Sequence, residues 1–94
     1  MRIEWHPWAR TDLAELVEYI ATDNPAAGYR VHDDIRKQID LLSIYPEIGR
    51  PGRVRGAREL VTTGTPYIAA YRFAGDVVTV LRLLHGTRQW PKKL

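Results

Sequence analysis

Residues 67–85 read YIAAYRFAGDVVTVLRLLH, two runs rich in β-branched and aromatic side chains that flank Ala74-Gly75-Asp76. Such runs favour extended strands, and the segment between them is short enough for a hairpin turn. The sequence therefore predicts two antiparallel strands, Tyr67–Phe73 and Val77–His85. Both alternating faces of the second run are apolar, so we expect this strand to lie inside a sheet rather than at its edge.

Strict alternation assigns the side chains of the second strand to two faces. It places Arg82 on the same face as Val78 and Val80, and it places Leu83 on the opposite face. One of these faces is expected to pack on the rest of the chain.

A third strand is expected directly before this hairpin. Ala57–Thr62 has a similar strand-forming composition, and Thr63-Gly64-Thr65-Pro66 provides a second short turn. The preceding segment, Pro46–Gly56, contains five Gly or Pro residues, and this density of breakers predicts an irregular loop. The C-terminal half is therefore expected to form a three-stranded antiparallel meander.

The N-terminal half has the periodicity of helices. Apolar residues recur at helical spacing in Trp8–Thr22 and again from Ala27 to Leu42, and Asn24-Pro25 between these stretches is typical of a helix start. A connection this short predicts an antiparallel α-hairpin. Ile3 and Trp5 alternate with polar residues, which predicts a short N-terminal strand. The expected fold class is α+β, in the order β-α-α-β-β-β, with one sheet packed against the hairpin.

Charge is divided unevenly along the chain. Residues 1–49 contain five Lys/Arg and nine Asp/Glu, whereas residues 50–94 contain nine Lys/Arg and two Asp/Glu. A basic half of this kind suggests an anionic partner. We expect the fold to gather its arginines into one electropositive concavity; the arginines concerned are Arg53, Arg55, Arg58, Arg72, Arg82 and Arg88.

Composition limits the kind of protein. The 94 residues are expected to form one domain, 1–94, and the absence of cysteine excludes disulfides and thiolate chemistry. No apolar run approaches the length of a membrane span, and we expect a soluble, cytoplasmic protein. His6 and His32 have no convergent partners in the sequence, so no metal site is expected, and no cofactor is expected either.

Several short phrases, in this order and spacing, resemble the RelE/ParE superfamily of toxins across nearly the whole chain. The phrases are Asp23-Asn24-Pro25-Ala26-Ala27, Tyr45-Pro46-Glu47-Ile48-Gly49-Arg50-Pro51, Arg58-Glu59-Leu60, Pro66 to Arg72, and Leu81 to Arg88. The resemblance implies a toxin of a bacterial type II toxin–antitoxin module, with growth inhibition and plasmid stabilisation as associated roles. It also implies a cognate antitoxin whose C-terminal segment wraps the toxin.

Two activities occur in this superfamily, and the sequence leaves both open. RelE-like members cleave mRNA on the ribosome, for which His85, Arg82 and Arg58 are the candidate catalytic residues: the imidazole moves a proton and the guanidinium groups hold phosphate. Glu59 is a possible base, although we expect it to be a surface ion-pair partner, which is the more ordinary role. RelE-like members usually carry a tyrosine near the C-terminus, and here Trp90 stands two residues beyond Arg88.

ParE-like members poison DNA gyrase, and the long first helix followed by an Asn-Pro-Ala-Ala start favours this branch. The expected contacts to gyrase or its bound DNA include the C-terminal tail, residues 88–94. The individual residues expected to bind gyrase or nucleic acid are Arg53, Arg55, Arg58, Arg82, Arg88 and Trp90. The expected antitoxin contacts are Leu13, Leu16, Val17, Ile20, Arg72 and Arg82. A third possibility, from a different class, is a basic nucleic-acid-binding module without toxicity.

Overall fold

Two helices and five strands make up the chain, for which the computed structural model describes residues 1–94. They are β1 (Arg2–Trp5), α1 (Pro7–Asp23), α2 (Pro25–Asp40), β2 (Arg50–Pro51), β3 (Arg58–Val61), β4 (Tyr67–Ala74) and β5 (Val77–His85). A 3₁₀ turn, Leu41–Ser43, follows α2. The predicted α+β class and element order are confirmed.

All five strands belong to one sheet, in the spatial order β1-β5-β4-β3-β2. β1 runs parallel to β5, and the other neighbours are antiparallel. The prediction that the last strand is internal is confirmed. β2 was not predicted; it lies at the sheet edge, where Pro51 can be accommodated although it has no N–H to donate.

A β-bulge in β5 changes which of its side chains enter the core. Ala70 pairs with Arg82 and Tyr71 with Val80, so the register passes over Leu81. The extra residue breaks strict alternation. Leu83, rather than Arg82, therefore joins Val78 and Val80 in the core, which corrects the predicted faces of this strand.

Local capping explains where the helices begin. The Asn24 side chain accepts a hydrogen bond from the Ala27 N–H at 3.1 Å, with Pro25 at the first helical position, as predicted. The two helices then approach closely at Gly28. A Cβ added there would lie 2.8 Å from the Ala21 Cβ, so a glycine is required for this crossing.

The core lies between the α-hairpin and one face of the sheet. Its fully or nearly buried members come from both helices, the 3₁₀ turn and the two longest strands: Ala9, Leu13, Leu16, Ile35, Ile39, Leu42, Ala69, Tyr71, Val78, Val80 and Leu83. Burial of this apolar surface is the main force that holds the hairpin to the sheet. Neither helix has the length and apolar character needed to cross a bilayer.

Candidate functional site

Tyr71 fixes the start of the loop that connects the helices to the sheet. Its side chain is fully buried, its hydroxyl donates to the Pro46 carbonyl at 2.7 Å, and it accepts from the Gly49 N–H at 2.9 Å. Burial raises the pKa of the Tyr71 hydroxyl, although the hydrogen bond from Gly49 partly opposes this. The phenol therefore stays protonated and serves as a structural donor.

Glu59 fixes the middle of the same loop. Its carboxylate contacts Arg50 Nη2 at 3.0 Å and Arg53 Nε at 3.0 Å, and it also accepts from the Arg53 backbone N–H at 2.7 Å. Burial alone would raise the pKa of Glu59, but hydrogen bonds from Arg53 and Arg50 outweigh it and lower the pKa below its usual value. Glu59 is thus an ion-pair partner, as expected, but it is buried and does not lie on the surface.

Replacing Glu59 by glutamine is expected to make the free energy of unfolding less dependent on pH. A carboxylate whose pKa is lowered by folding stabilises the protein above its unfolded pKa, and this contribution disappears as the pH falls through the folded value. At pH 7 we expect Glu59→Gln to lose about 1.5–3 kcal/mol, the range for hydrogen bonds to a charged group. Urea unfolding from pH 7 to pH 3 should show the deficit shrinking below pH 4.5, the ordinary pKa of this carboxyl.

Glu47→Gln is the matched control for this experiment, because Glu47 is an exposed acid of the same loop that forms no ion pair. Its stability should follow that of the unmodified chain at each pH. A deficit of Glu59→Gln that stayed constant down to pH 3 would contradict the assigned role of Glu59.

Two of the predicted phosphate-binding arginines hold the loop and the C-terminal tail in place. The Arg53 guanidinium stacks 3.8 Å from the centre of the Trp90 ring, and Trp90 Nε1 donates to the His85 carbonyl at 3.1 Å. Arg58 Nη1 donates to the Gly49 carbonyl at 2.9 Å. Arg53, Arg58 and Trp90 therefore have framework contacts within the chain.

Arg82 is held by an acid that the sequence analysis did not identify. Arg82 Nε and Nη2 donate to the two Asp12 carboxylate oxygens at 2.7 and 3.0 Å, and the Leu83 N–H donates to Asp12 at 3.0 Å. β1 ends opposite Val80, so the rest of β5 has no neighbouring strand on that side. Asp12 accepts the Leu83 N–H in place of such a strand. The hydrogen bonds that Arg82 donates to Asp12 raise the pKa of Arg82. Nothing in the local sequence connects residues 70 positions apart.

His85 lies in a cavity of about 400 Å³ between α1 and the end of β5. Its Nδ1 accepts from the Thr87 N–H at 3.2 Å, and its ring packs edge-on against Tyr67, with 5.6 Å between ring centres. The charged residues that line the same cavity are Asp12, Glu15, Arg82 and Arg88. Two carboxylates thus balance the two guanidinium groups near the imidazole, which makes the cavity a poor phosphate site.

The remaining cations surround a groove formed by the loop, the middle of β4 and β5, and the C-terminal tail. We call it the basic groove; its charged residues are Arg55, Arg72, Lys92 and Lys93, and its apolar residues include Val54, Ala57 and Leu81. All four cations are exposed, and none forms an ion pair. The predicted arginines are therefore divided among the loop framework, the His85 cavity and the basic groove.

The six predicted antitoxin contacts are also distributed over different parts of the fold. Leu13 and Leu16 are buried in the core, and Val17 and Ile20 are half-buried beside it. Val17 also lines a cavity at the α-hairpin together with Trp5 and Arg36. Arg72 lies at the basic groove, and Arg82 is paired with Asp12. Arg72 is thus the exposed member of this set, and Val17, Ile20 and Arg82 are half-buried.

Comparison with known proteins decides the family. Residues 3–90 match the family described as ParE toxin of type II toxin–antitoxin system, parDE. The chain belongs to the ParE toxin family. It is the toxin component of a type II toxin–antitoxin system, and its partner is an antitoxin.

Individual relatives agree with this assignment to the ParE family. The chain is 43% identical over 93 residues to the candidate toxin Y4kP of Sinorhizobium fredii, covering 99% of this chain and 96% of the relative. It is 32% identical over 87 residues to toxin RelE2 of Caulobacter vibrioides, covering 93% and 97%. A solved structure of the chromosomal ParDE system from P. aeruginosa has a TM-score of 0.80 at 27% identity, covering 88% of this chain and 92% of that chain.

Proposed function

We propose that this ParE-family toxin stops growth by poisoning DNA gyrase and that it does so without catalysing a reaction of its own. The observation that carries the proposal is that His85 shares its cavity with as many carboxylates as guanidinium groups, whereas the four cations of the basic groove lie in a different part of the molecule. We expect the toxin to fold as a single domain spanning residues 1–94. It would meet gyrase and its DNA in the cytoplasm.

RNA cleavage without a metal needs a proton-transfer group and a cation at the same phosphate. His85 lies beside Arg82, but the Arg82 charge is compensated by Asp12, and the Glu15 carboxylate lines the same cavity. Glu59 is ionised and bound by two arginines, which leaves it poorly suited to take a proton. The arrangement therefore supports a binding function more strongly than a nuclease.

A gyrase poison has simpler requirements than a nuclease. It needs only a surface that binds one state of the enzyme–DNA complex more tightly than the others. The basic groove supplies exposed charge for such a surface. The 17-residue α1 and the Asn24 start of α2 retain the features that favoured the ParE-like branch in the sequence. The antitoxin would then silence the toxin by covering surface that gyrase needs, with its C-terminal segment wrapped around the fold.

The proposal predicts that purified toxin blocks supercoiling by gyrase and accumulates cleaved DNA, and that His85→Ala does both as well as the unmodified chain. A ribonuclease that used His85 for proton transfer would instead lose about 10²–10⁴-fold in rate on this substitution. Supercoiling and DNA-cleavage assays with both proteins measure the first outcome. Arg82→Ala is unsuitable here because it would leave Asp12 unpaired.

The second candidate is cleavage of ribosome-bound mRNA. Two observations favour it: one relative bears the name RelE2, and His85 Nε2 makes no hydrogen bond within the chain. Primer extension on ribosome-bound mRNA tests it directly. Cleavage by the toxin that disappears in His85→Ala, together with unimpaired supercoiling, would replace the gyrase proposal with this one.

A further inference from the structure

We propose that the basic groove binds the phosphate backbone of duplex DNA. This inference deepens the proposed function, because it rests on gyrase poisoning for its biological setting and identifies the surface that would contact the DNA held by the enzyme. The binding site itself is argued from the groove alone.

Charge is the first reason for this inference. Four cations, Arg55, Arg72, Lys92 and Lys93, surround the basic groove, and no lining side chain is a carboxylate. Elsewhere in the basic half, Arg50 and Arg53 share the Glu59 carboxylate and Arg82 pairs with Asp12, each within 3.0 Å. Four exposed, uncompensated charges around one concavity attract a polyanion, and release of its counterions favours binding.

The groove is also held in shape by contacts away from its own cations. Glu59 accepts the Arg53 N–H, which positions the loop just before Val54 and Arg55. The stack of Trp90 on Arg53 brings the tail to this loop, two residues before Lys92. Arg72 is on β4, which pairs on both sides. Binding would therefore order few additional residues, which keeps its entropic cost low.

The backbone beneath the groove argues against an acidic peptide as its occupant. β4 lies between β3 and β5, and β5 has an open edge only beyond Val80, where Asp12 already accepts the Leu83 N–H. A peptide lying here would gain no main-chain hydrogen bonds of the kind that strand addition provides. Phosphate groups, by contrast, need only the side-chain donors that surround the groove.

The floor of the groove distinguishes duplex from single-stranded nucleic acid. Its apolar residues, which include Val54, Ala57 and Leu81, are aliphatic, and no aromatic ring lines it. Proteins that bind single strands usually stack bases on aromatic side chains. A groove with cations and no stacking platform fits a duplex, whose bases remain paired and whose phosphates face outward.

The test is fluorescence anisotropy with a labelled 20-bp DNA duplex, over 50–200 mM KCl. With up to four phosphate contacts, the slope of log K against log salt should be about −3 to −4, which corresponds to a loss of about 100-fold in affinity over this range. Arg55→Ala/Arg72→Ala should reduce the slope by about 2. Arg10→Ala/Arg30→Ala is the control, since it removes the same charge from exposed positions on the helices and should leave the slope unchanged.

Equal losses in the two double variants would overturn the inference, because they would show a response to net charge rather than a site. Loss of antitoxin affinity in Arg55→Ala/Arg72→Ala with unchanged duplex affinity would also overturn it and assign the groove to the antitoxin. Stronger binding of a single strand than of the duplex would overturn the choice of ligand. Circular dichroism should confirm that both variants are folded.

Gyrase assays with the same variants separate this inference from the proposed function. Poisoning that survives in Arg55→Ala/Arg72→Ala would contradict the groove as the DNA contact and leave the gyrase proposal intact. Groove-dependent duplex binding by a toxin that never inhibits gyrase would support the site and reject gyrase as the target. Loss of both duplex binding and poisoning in this variant alone is the result we expect.

Discussion

Replacing Tyr71 with phenylalanine will lower the free energy of unfolding by about 2–3 kcal/mol, although only one oxygen atom is removed. That oxygen accepts the Gly49 N–H and donates to the Pro46 carbonyl. Gly49 is buried and Tyr71 is fully buried, so water cannot easily replace the lost partner. An unpaired buried polar group costs about 1–3 kcal/mol, and this substitution leaves two groups without their partner.

Tyr67→Phe is the matched control, because Tyr67 is on the same strand and its hydroxyl makes no hydrogen bond within the chain. Chemical denaturation should place this variant within about 0.5 kcal/mol of the unmodified protein, as for most changes outside special sites. Similar losses for the two substitutions would show that Tyr71 acts through ring packing and not through its hydroxyl.

Replacing Asp12 with alanine should destabilise the toxin by about 2–4 kcal/mol. The change removes a two-pronged ion pair with Arg82, whose side chain is 23% exposed, and it removes the acceptor for the Leu83 N–H. Without Asp12, the Arg82 charge has no partner, and this costs free energy because water solvates the half-buried guanidinium only in part. Thermal and urea unfolding measure the effect.

A double-mutant cycle then separates the ion pair from the other contacts of Asp12. Asp12→Ala/Arg82→Met replaces both charges and should recover part of the loss, because no charge is then left without a partner. Glu15→Ala, one turn further along α1, removes an exposed acid that forms no ion pair, and we expect about 0.5 kcal/mol or less. Additive effects of Asp12→Ala and Arg82→Met would contradict direct coupling.

The parts of the fold that local patterns encode were predictable. The spacing of Leu13, Leu16, Val17 and Ile20 indicated α1, Asn24-Pro25 indicated the start of α2, and the composition of Tyr67–His85 indicated the β4–β5 hairpin. Each of these depends on interactions between residues close in the chain. The parallel pairing of β1 with β5 depends on which distant strand has a free edge, and no local pattern specifies that.

The site was less predictable, because its geometry depends on long-range partners. A single bulged residue, Leu81, changes the side on which Leu83 lies, and composition alone does not reveal it. Arg82 looked available in the sequence, but Asp12 occupies it in the fold. The C-terminal tail was expected to contact gyrase or its DNA as a whole segment, but only folding brings its cations Lys92 and Lys93 beside Arg55 and Arg72.

The pairing of residues 2–5 with residues 77–80 has a consequence for synthesis of the toxin in the cell. While the ribosome is still translating the chain, the first strand has no neighbour, and the helices lack the Val78, Val80 and Leu83 side chains on which they pack. Contacts between such distant segments form late and slowly. The nascent chain therefore cannot complete its sheet or its core until its last strand has left the exit tunnel.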